Sequence, residues 1–156
     1  MNAGEITCFI RKSPLLSTQN LGVFAVDRLP VVRASEMKYP FSLIVNTDMW
    51  GNKGKHWIAI YIASPQEGEF FDSLGNGPSH YSGVFLDFMK RYCGKLKWND
   101  RQLQSHETDV CGQYCLFYLS MRSRGLPLDL IVSPFSMNYY LNDKAIESCM
   151  TEFYMK

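Results

Sequence analysis

Apolar positions along this chain keep two different rhythms. Residues 41–46, FSLIVN, form a short β-branched run, and residues 56–63, HWIAIYIA, alternate bulky aliphatic and aromatic side chains over the length of a strand. Between them, TDMWGNKGK carries two glycines and reads as a loop. SPQEG then supplies a turn, and EFFDSLGNG reads as a second strand running into another loop, so residues 56–77 predict a β-hairpin. KLKWNDRQLQ alternates well enough for an edge strand.

The helical rhythm appears later. HYSGVFLDFMKRY, residues 80–92, puts Val84, Phe85, Phe88, Met89 and Tyr92 on one face, with basic residues at its end and Gly94 just beyond. The clearest helix opens at TDVCGQYCLFYLSMR, residues 108–122. Thr108 or Asp109 can cap it, Val110, Tyr114, Phe117, Tyr118 and Met121 recur at three and four, and Gly125 and Pro127 follow its end. One more helix is expected from about Asn142, with Ile146, Met150 and Phe153 turned inward.

The second helix changes the picture, because it places Cys111 in its first turn. Unpaired N–H groups and the positive end of the helix dipole there favour a thiolate. A cysteine nucleophile also needs a base, a group that orients the base, and donors for the oxyanion. His56 opens the first strand of the hairpin and Asp72 closes the second, so folding on the turn brings both to the open end. They are the base and orienter. His80, in a loop before a helix, and His106, with no carboxylate placed behind it, are poorer candidates. Gln104 precedes the cysteine in a loop, and its amide can share the oxyanion with the Cys111 N–H; Gln102 is its rival. Each residue alone has an ordinary explanation: a core thiol, a turn aspartate, a loop glutamine, a core tryptophan at Trp57. The order of the set speaks for chemistry.

Composition narrows the remaining classes. A chain of 156 residues, 46% hydrophobic, suits one domain over 1–156, and a formal charge of +1 provides no global field for nucleic acid or membrane. The five cysteines, Cys8, Cys93, Cys111, Cys115 and Cys149, include no CxxC pair, which disfavours a zinc site or a disulfide scaffold; no metal is expected. With no apolar leader and no long apolar run, the expectation is an intracellular monomer with reduced thiols and no membrane partner.

The ordered residues resemble the adenain-like cysteine proteases of adenoviruses, in the same clan as the ubiquitin-like protein (SUMO) proteases. The likeness rests on His-Trp at 56–57, a carboxylate in FFDSLG, Gln104 seven residues before the cysteine, and Asp-x-Cys-Gly-x-Tyr on a helix. IVNTDMWGNKGKHWIAIYI, CGQYC and GVFAVDRLP favour the adenoviral branch. Residues 20–125 carry the likeness well and the tail only loosely. Asp72 stands where mammalian adenoviral enzymes commonly have glutamate.

The resemblance implies an α+β, papain-like fold in permuted order, His, Asp, Gln, Cys, with a mixed sheet packed against helices. It implies a thiol protease with a catalytic triad that cuts protein substrates after hydrophobic-x-Gly-Gly or hydrophobic-x-Gly-x sequences, with Trp57 walling a narrow cleft. In adenoviruses such cleavage matures capsid and core precursors in the nucleus and virion; similar enzymes occur in virus-like transposons. Adenoviral enzymes are also stimulated by DNA and by a viral peptide that forms a disulfide. Cys93 has the matching spacing for that cofactor, and Lys90, Arg91, Lys95, Lys97 and Arg101 are the local candidates for DNA. The alternatives are a deconjugase of ubiquitin-like proteins and a non-catalytic binding module on the same fold.

Overall fold

The computed structural model describes residues 1–52 and 54–155, the side chains of the last two excepted. Its centre is a five-stranded sheet in the order β1 (Asn20–Ala25), β2 (Phe41–Asn46), β3 (Trp57–Ile62), β4 (Glu67–Phe71) and β5 (Lys95–Trp98). The two inner pairings, β2 with β3 and β3 with β4, are antiparallel, and the two outer ones are parallel. The sheet is mixed, and β5 lies at its edge as the alternation of KLKW predicts.

Period-2 side-chain alternation loads both faces. Ile58, Ile60 and Ile62 of β3 join Phe41, Leu43, Val45 and Phe70 on one face, beneath Phe85, Phe88 and Met89 of helix α3 (Gly83–Tyr92). Ala59 and Tyr61 join Ile44 and Phe71 on the other, beneath α1 (Ala3–Lys12), α2 (Pro14–Gln19), α4 (Cys111–Ser123), α5 (Leu128–Val132) and α6 (Tyr139–Met155). Each aliphatic or aromatic side chain so buried stabilises the fold by roughly 1.5–3 kcal/mol relative to exposure. Helix α4 packs against β3, α1, α2, α5 and α6, so Tyr114, Cys115, Leu116, Tyr118 and Leu119 are all fully enclosed. A helix apolar on most sides is a buried one, and α4 is the central post of this layer.

The hairpin is tighter than SPQEG suggests. Glu67 and Gly68 belong to β4, and the turn closes through Ala63 N–H to Glu67 O at 2.9 Å. Its register sets Ala59 opposite Phe71 and Ile62 opposite Gly68.

Several expectations need correction. The α3 helix begins at Gly83 with Ser82 as its cap, and Val84 is exposed, because the stripe that meets the sheet runs through Phe85, Phe88, Met89 and Tyr92. Gly94 does not end α3 in a left-handed turn; Cys93 is extended and carries the chain straight into β5. Neither Thr108 nor Asp109 caps α4: its cap position is Val110, with no side-chain bond, since Thr108 is engaged elsewhere. At the other end of α4 the reading holds. Gly125 takes a positive φ of 94°, and the N–H groups of Gly125 and Leu126 bond back to Arg122 and Met121. Helix α6 starts at Tyr139, and Phe153 is partly exposed while Ile146 and Met150 are buried. Helices α1, α2 and α5 and strand β1 were not anticipated.

Candidate active site

His56 directly precedes β3 and Asp72 directly follows β4, so both project from one end of the sheet. His56 Nε2 lies 2.6 Å from Asp72 Oδ1. The carboxylate is fully buried, yet well supplied with donors: Leu74 N–H gives to Oδ1 at 2.8 Å and the Tyr81 hydroxyl gives to Oδ2. Asn99, buried after β5, clamps the same residue through its backbone, accepting from Asp72 N–H at 3.0 Å and donating to Asp72 O at 2.5 Å. Gly75 closes the turn after the aspartate with a φ of 82°. A Cβ there would meet the Arg101–Gln102 backbone at 2.7 Å, so the position needs glycine.

Cys111 is the first residue of α4 and is 8% exposed. Nε2 of His56 is committed to Asp72, which leaves Nδ1 as the ring nitrogen available to the thiol, and the two side chains are near enough for each to shift the other's protonation. The Trp57 N–H also points at Sγ, at 3.5 Å.

The protonation states follow. Burial opposes a charged imidazole, but hydrogen bonds to Asp72 and Cys111 and the charges of both outweigh it, raising the His56 pKa to about 9. Burial opposes a thiolate as well, but the His56 imidazolium and the N–H groups of Trp57 and Gly112 hold the Cys111 thiol below its ordinary range. Asp72 is likewise kept below the usual carboxylate range: burial raises it, and His56, Tyr81 and the Leu74 N–H more than compensate. The arrangement favours a thiolate–imidazolium pair backed by a carboxylate.

Gln104 is buried behind this trio. Its Oε1 accepts from Ser73 Oγ at 2.6 Å, and its Nε2 donates to Thr108 O at 2.9 Å. Leu103 and Gln104 N–H both bond to Ser73 O, which stitches the loop after β5 to the residue following Asp72. The rival, Gln102, spends its amide on Gln104 O at 2.8 Å and braces the loop.

Trp57 lies half-buried beside the nucleophile. Its Nε1–H donates to Met1 O at 3.0 Å, and its ring borders Gly112, where an added Cβ would come within 3.4 Å of it. Trp57, Met49, Trp50 and Asn46 line one groove of about 590 Å³ that ends at Cys111 and His56. His80, His106 and Tyr81 line a second groove of about 610 Å³ on the other flank of His56. Those two histidines thus border the site without joining the trio.

Cys93 is remote from the trio, buried at the start of the α3–β5 connection, with its thiol donating to Met89 O at 3.3 Å. Burial pushes that thiol up. Of the basic residues proposed for DNA, Lys90, Arg91, Lys95 and Lys97 are exposed, while Arg101 donates to the Phe135 carbonyl and is drawn into the fold. Among the described residues no group of three or more metal-ligating side chains converges, and no helix is long and apolar enough to cross a membrane.

Tyr81 and Asn99 were not anticipated from sequence. Both lie in loops, where no periodic pattern marks a residue whose partner is distant in the chain.

No protein-family model matches the chain. A protein of African swine fever virus named a SUMO-1 cysteine protease is 29% identical over 113 residues, 64% of this chain and 41% of its own length. A protein of Acanthamoeba polyphaga mimivirus, provisionally named a thiol protease, is 32% identical over 121 residues, 71% of this chain and 37% of its own. The aligned part of this chain thus spans about two fifths of those relatives. The crystal structure of the African swine fever virus protease superposes with a TM-score of 0.65 over 93% of this chain and 65% of that one, at 19% identity. The central domain of an uncharacterized Legionella pneumophila protein gives 0.50 over the whole chain, at 17% identity. The expected α+β fold, a mixed sheet between helices, is therefore that of a viral cysteine protease. On sequence and fold together, the chain is similar to viral cysteine proteases, in keeping with the expected likeness to the adenain-like clan.

Proposed function

We propose that this chain is a cysteine endopeptidase domain that cleaves proteins after glycine-containing sequences of the hydrophobic-x-Gly-Gly or hydrophobic-x-Gly-x type, in the maturation of viral or virus-like precursor proteins. The observation that carries the enzymatic reading is His56, held between a buried Asp72 carboxylate and the Cys111 thiol. In the reaction the thiolate attacks the scissile carbonyl carbon. The S–C bond forms as the carbonyl π pair moves to oxygen, where the Cys111 N–H and the Gln104 amide are the proposed donors. Collapse expels the amine, which takes its proton from the His56 imidazolium. Water, deprotonated by the neutral imidazole, then releases the acid and restores the thiol pair.

The groove that Trp57 and Trp50 share with Cys111 and His56 is where the glycine-containing segment would lie. A stimulating peptide joined at Cys93, and DNA on the exposed lysines, belong to the same reading; the peptide would first have to uncover the buried thiol. The name of the African swine fever virus relative favours one second reading, a deconjugase of ubiquitin-like proteins, which would need a folded substrate.

Cleavage of a fluorogenic Leu-x-Gly-Gly peptide by wild type, Cys111→Ala and His56→Ala tests the proposal. Turnover abolished in both variants is the expected result. Turnover only on a folded ubiquitin-like substrate supports the second reading. Silence on both, with a Cys111 inert to a vinyl sulfone, leaves a binding module.

A further inference from the structure

Two neighbouring polar residues of α6, Asn142 and Asp143, are buried in a helix whose other inward positions, Ile146 and Met150, are apolar. Neither belongs to the trio, and burying a carboxylate without a structural return is costly. Asp143 has three donors. The Tyr114 hydroxyl gives to Oδ1 at 2.8 Å, and the Thr108 hydroxyl and Ser105 N–H give to Oδ2 at 2.8 and 3.2 Å. Asn142 Nδ2 donates to Leu103 O at 3.0 Å. Every one of these partners except Tyr114 lies in the loop of residues 103–108, which carries Gln104 and leads into Cys111. Thr108 is the junction. Its hydroxyl is held by Asp143, while its carbonyl accepts from the Gln104 amide. Tyr114 links the same carboxylate to the helix of the nucleophile, one turn after Cys111.

We propose that Asp143 is a positioning residue for the oxyanion donor: the tail helix reaches across to the loop and, through Thr108 and Ser105, holds the Gln104 amide in register with the first turn of α4. The proposal rests on the protease reading above. It assigns α6 a part in the reaction, although this helix is formed by the least family-like stretch of the chain. The chemistry of the bond also predicts which substitution will disturb it. In Asp143→Asn one acceptor position becomes an NH2 group; the Tyr114 hydroxyl can turn to accept from it and give its proton to Leu103 O, whereas Ser105 N–H cannot reverse, and in either orientation the charge that holds the Thr108–Ser105 pair is lost.

The test separates oxyanion stabilisation from thiolate formation. Alkylation of Cys111 by iodoacetamide, followed on the Cys111 peptide by mass spectrometry, needs the thiolate and no oxyanion. Inhibition by a Leu-x-Gly-Gly aldehyde forms a hemithioacetal oxygen that needs the same donors as the transition state. For Asp143→Asn the expected result is a fall of about tenfold in kcat and in aldehyde affinity, with KM and the rate and pH profile of alkylation unchanged. Unchanged kcat and aldehyde affinity would overturn the proposal, as would an equal fall in alkylation, which marks a structural role only. Should Asp143→Asn fail to fold, Thr108→Val removes the hydroxyl that joins Asp143 Oδ2 to the Gln104 amide, while leaving the carboxylate with Tyr114 and the Ser105 N–H. It should show the same split at about threefold, and its absence would be equally decisive. If wild type alkylates normally but neither cleaves the peptide nor binds the aldehyde, the protease reading fails and takes this proposal with it. Wild-type turnover with no split in either variant overturns the proposal alone.

Discussion

Tyr81 donates its hydroxyl to Oδ2 of Asp72, the oxygen that His56 leaves open. Its ring also stacks toward the imidazole at an interplanar angle of 27°, with centroids 6.3 Å apart. A buried carboxylate with both oxygens engaged stays ionised and fixed, and that is what the imidazolium needs behind it. Burial and the Asp72 charge together drive the phenol well above its ordinary pKa, so Tyr81 remains a donor throughout the working range.

Tyr81→Phe should therefore lower kcat by about three- to tenfold, a loss consistent with one charge-assisted hydrogen bond at one remove from the reacting atoms. KM should be unchanged. Steady-state kinetics on the peptide substrate would check this, and full activity in Tyr81→Phe would show the phenol to be a packing residue.

The pH dependence has a definite sign on each side. On the acid limb the thiolate is protonated, and because His56 holds Cys111 below the ordinary thiol range, activity should persist below that range before it falls. On the alkaline limb the imidazolium loses its proton at about 9 and can no longer supply the leaving amine. The profile of kcat/KM should be a bell whose limbs belong to the coupled pair rather than to either residue. A single ascending limb at the pKa of a free thiol would contradict the ion pair.

The two glutamines should separate cleanly. Gln104→Ala removes the proposed oxyanion donor and leaves Ser73 Oγ and Thr108 O without their partner, and kcat should fall by about 10²–10³-fold. Gln102→Ala removes one brace to Gln104 O and should cost about tenfold or less. Equal losses would mean that the loop as a whole, and not one amide, supports the reaction.

Away from the site, Gly68→Ala should destabilise the fold. Its new Cβ would lie 2.5 Å from Cys93 Sγ and 2.8 Å from Ile62 Cδ1, in a packed region between β4 and α3. Overpacking of this kind costs about 1–3 kcal/mol, readable as a lower urea midpoint. Gly68→Ala combined with Cys93→Ala relieves the sulfur contact and should recover part of the loss.

The trio was legible because its members lie at element ends that the apolar rhythm marks: His56 before an alternating run, Asp72 after one, Cys111 at the head of a periodic helix. The order of types then did the rest. Helix α1 is legible by the same rules. Asn2 and Glu5 form a reciprocal cap, Arg11 and Lys12 close the last turn, and Ile6, Phe9 and Ile10 recur at three and four. Asp143 carries a subtler signal: it shares the inward stripe of Ile146 and Met150 at spacings of three and four, where a carboxylate is out of place unless something awaits it. Thr108 defeated the capping rule for a related reason. Its hydroxyl had a better acceptor in Asp143, 35 residues ahead, and local preference gave way to a tertiary bond. No pattern in the sequence points to Tyr81 or Asn99, whose roles depend on distant loops meeting.

The turn at residues 63–66 works as a ruler. His56 and Asp72 meet because β3 and β4 pair in one register, and that register is set by the chain length spent between Ile62 and Glu67. One residue more or fewer in an exposed bend, far along the hairpin from the thiol, would advance the aspartate by about 3.3 Å and turn it to the opposite face of the sheet. The isoleucines of β3 could still pack, and the imidazole would stand without its carboxylate. Selection on the chemistry thus reaches a surface turn that touches none of it, by counting residues.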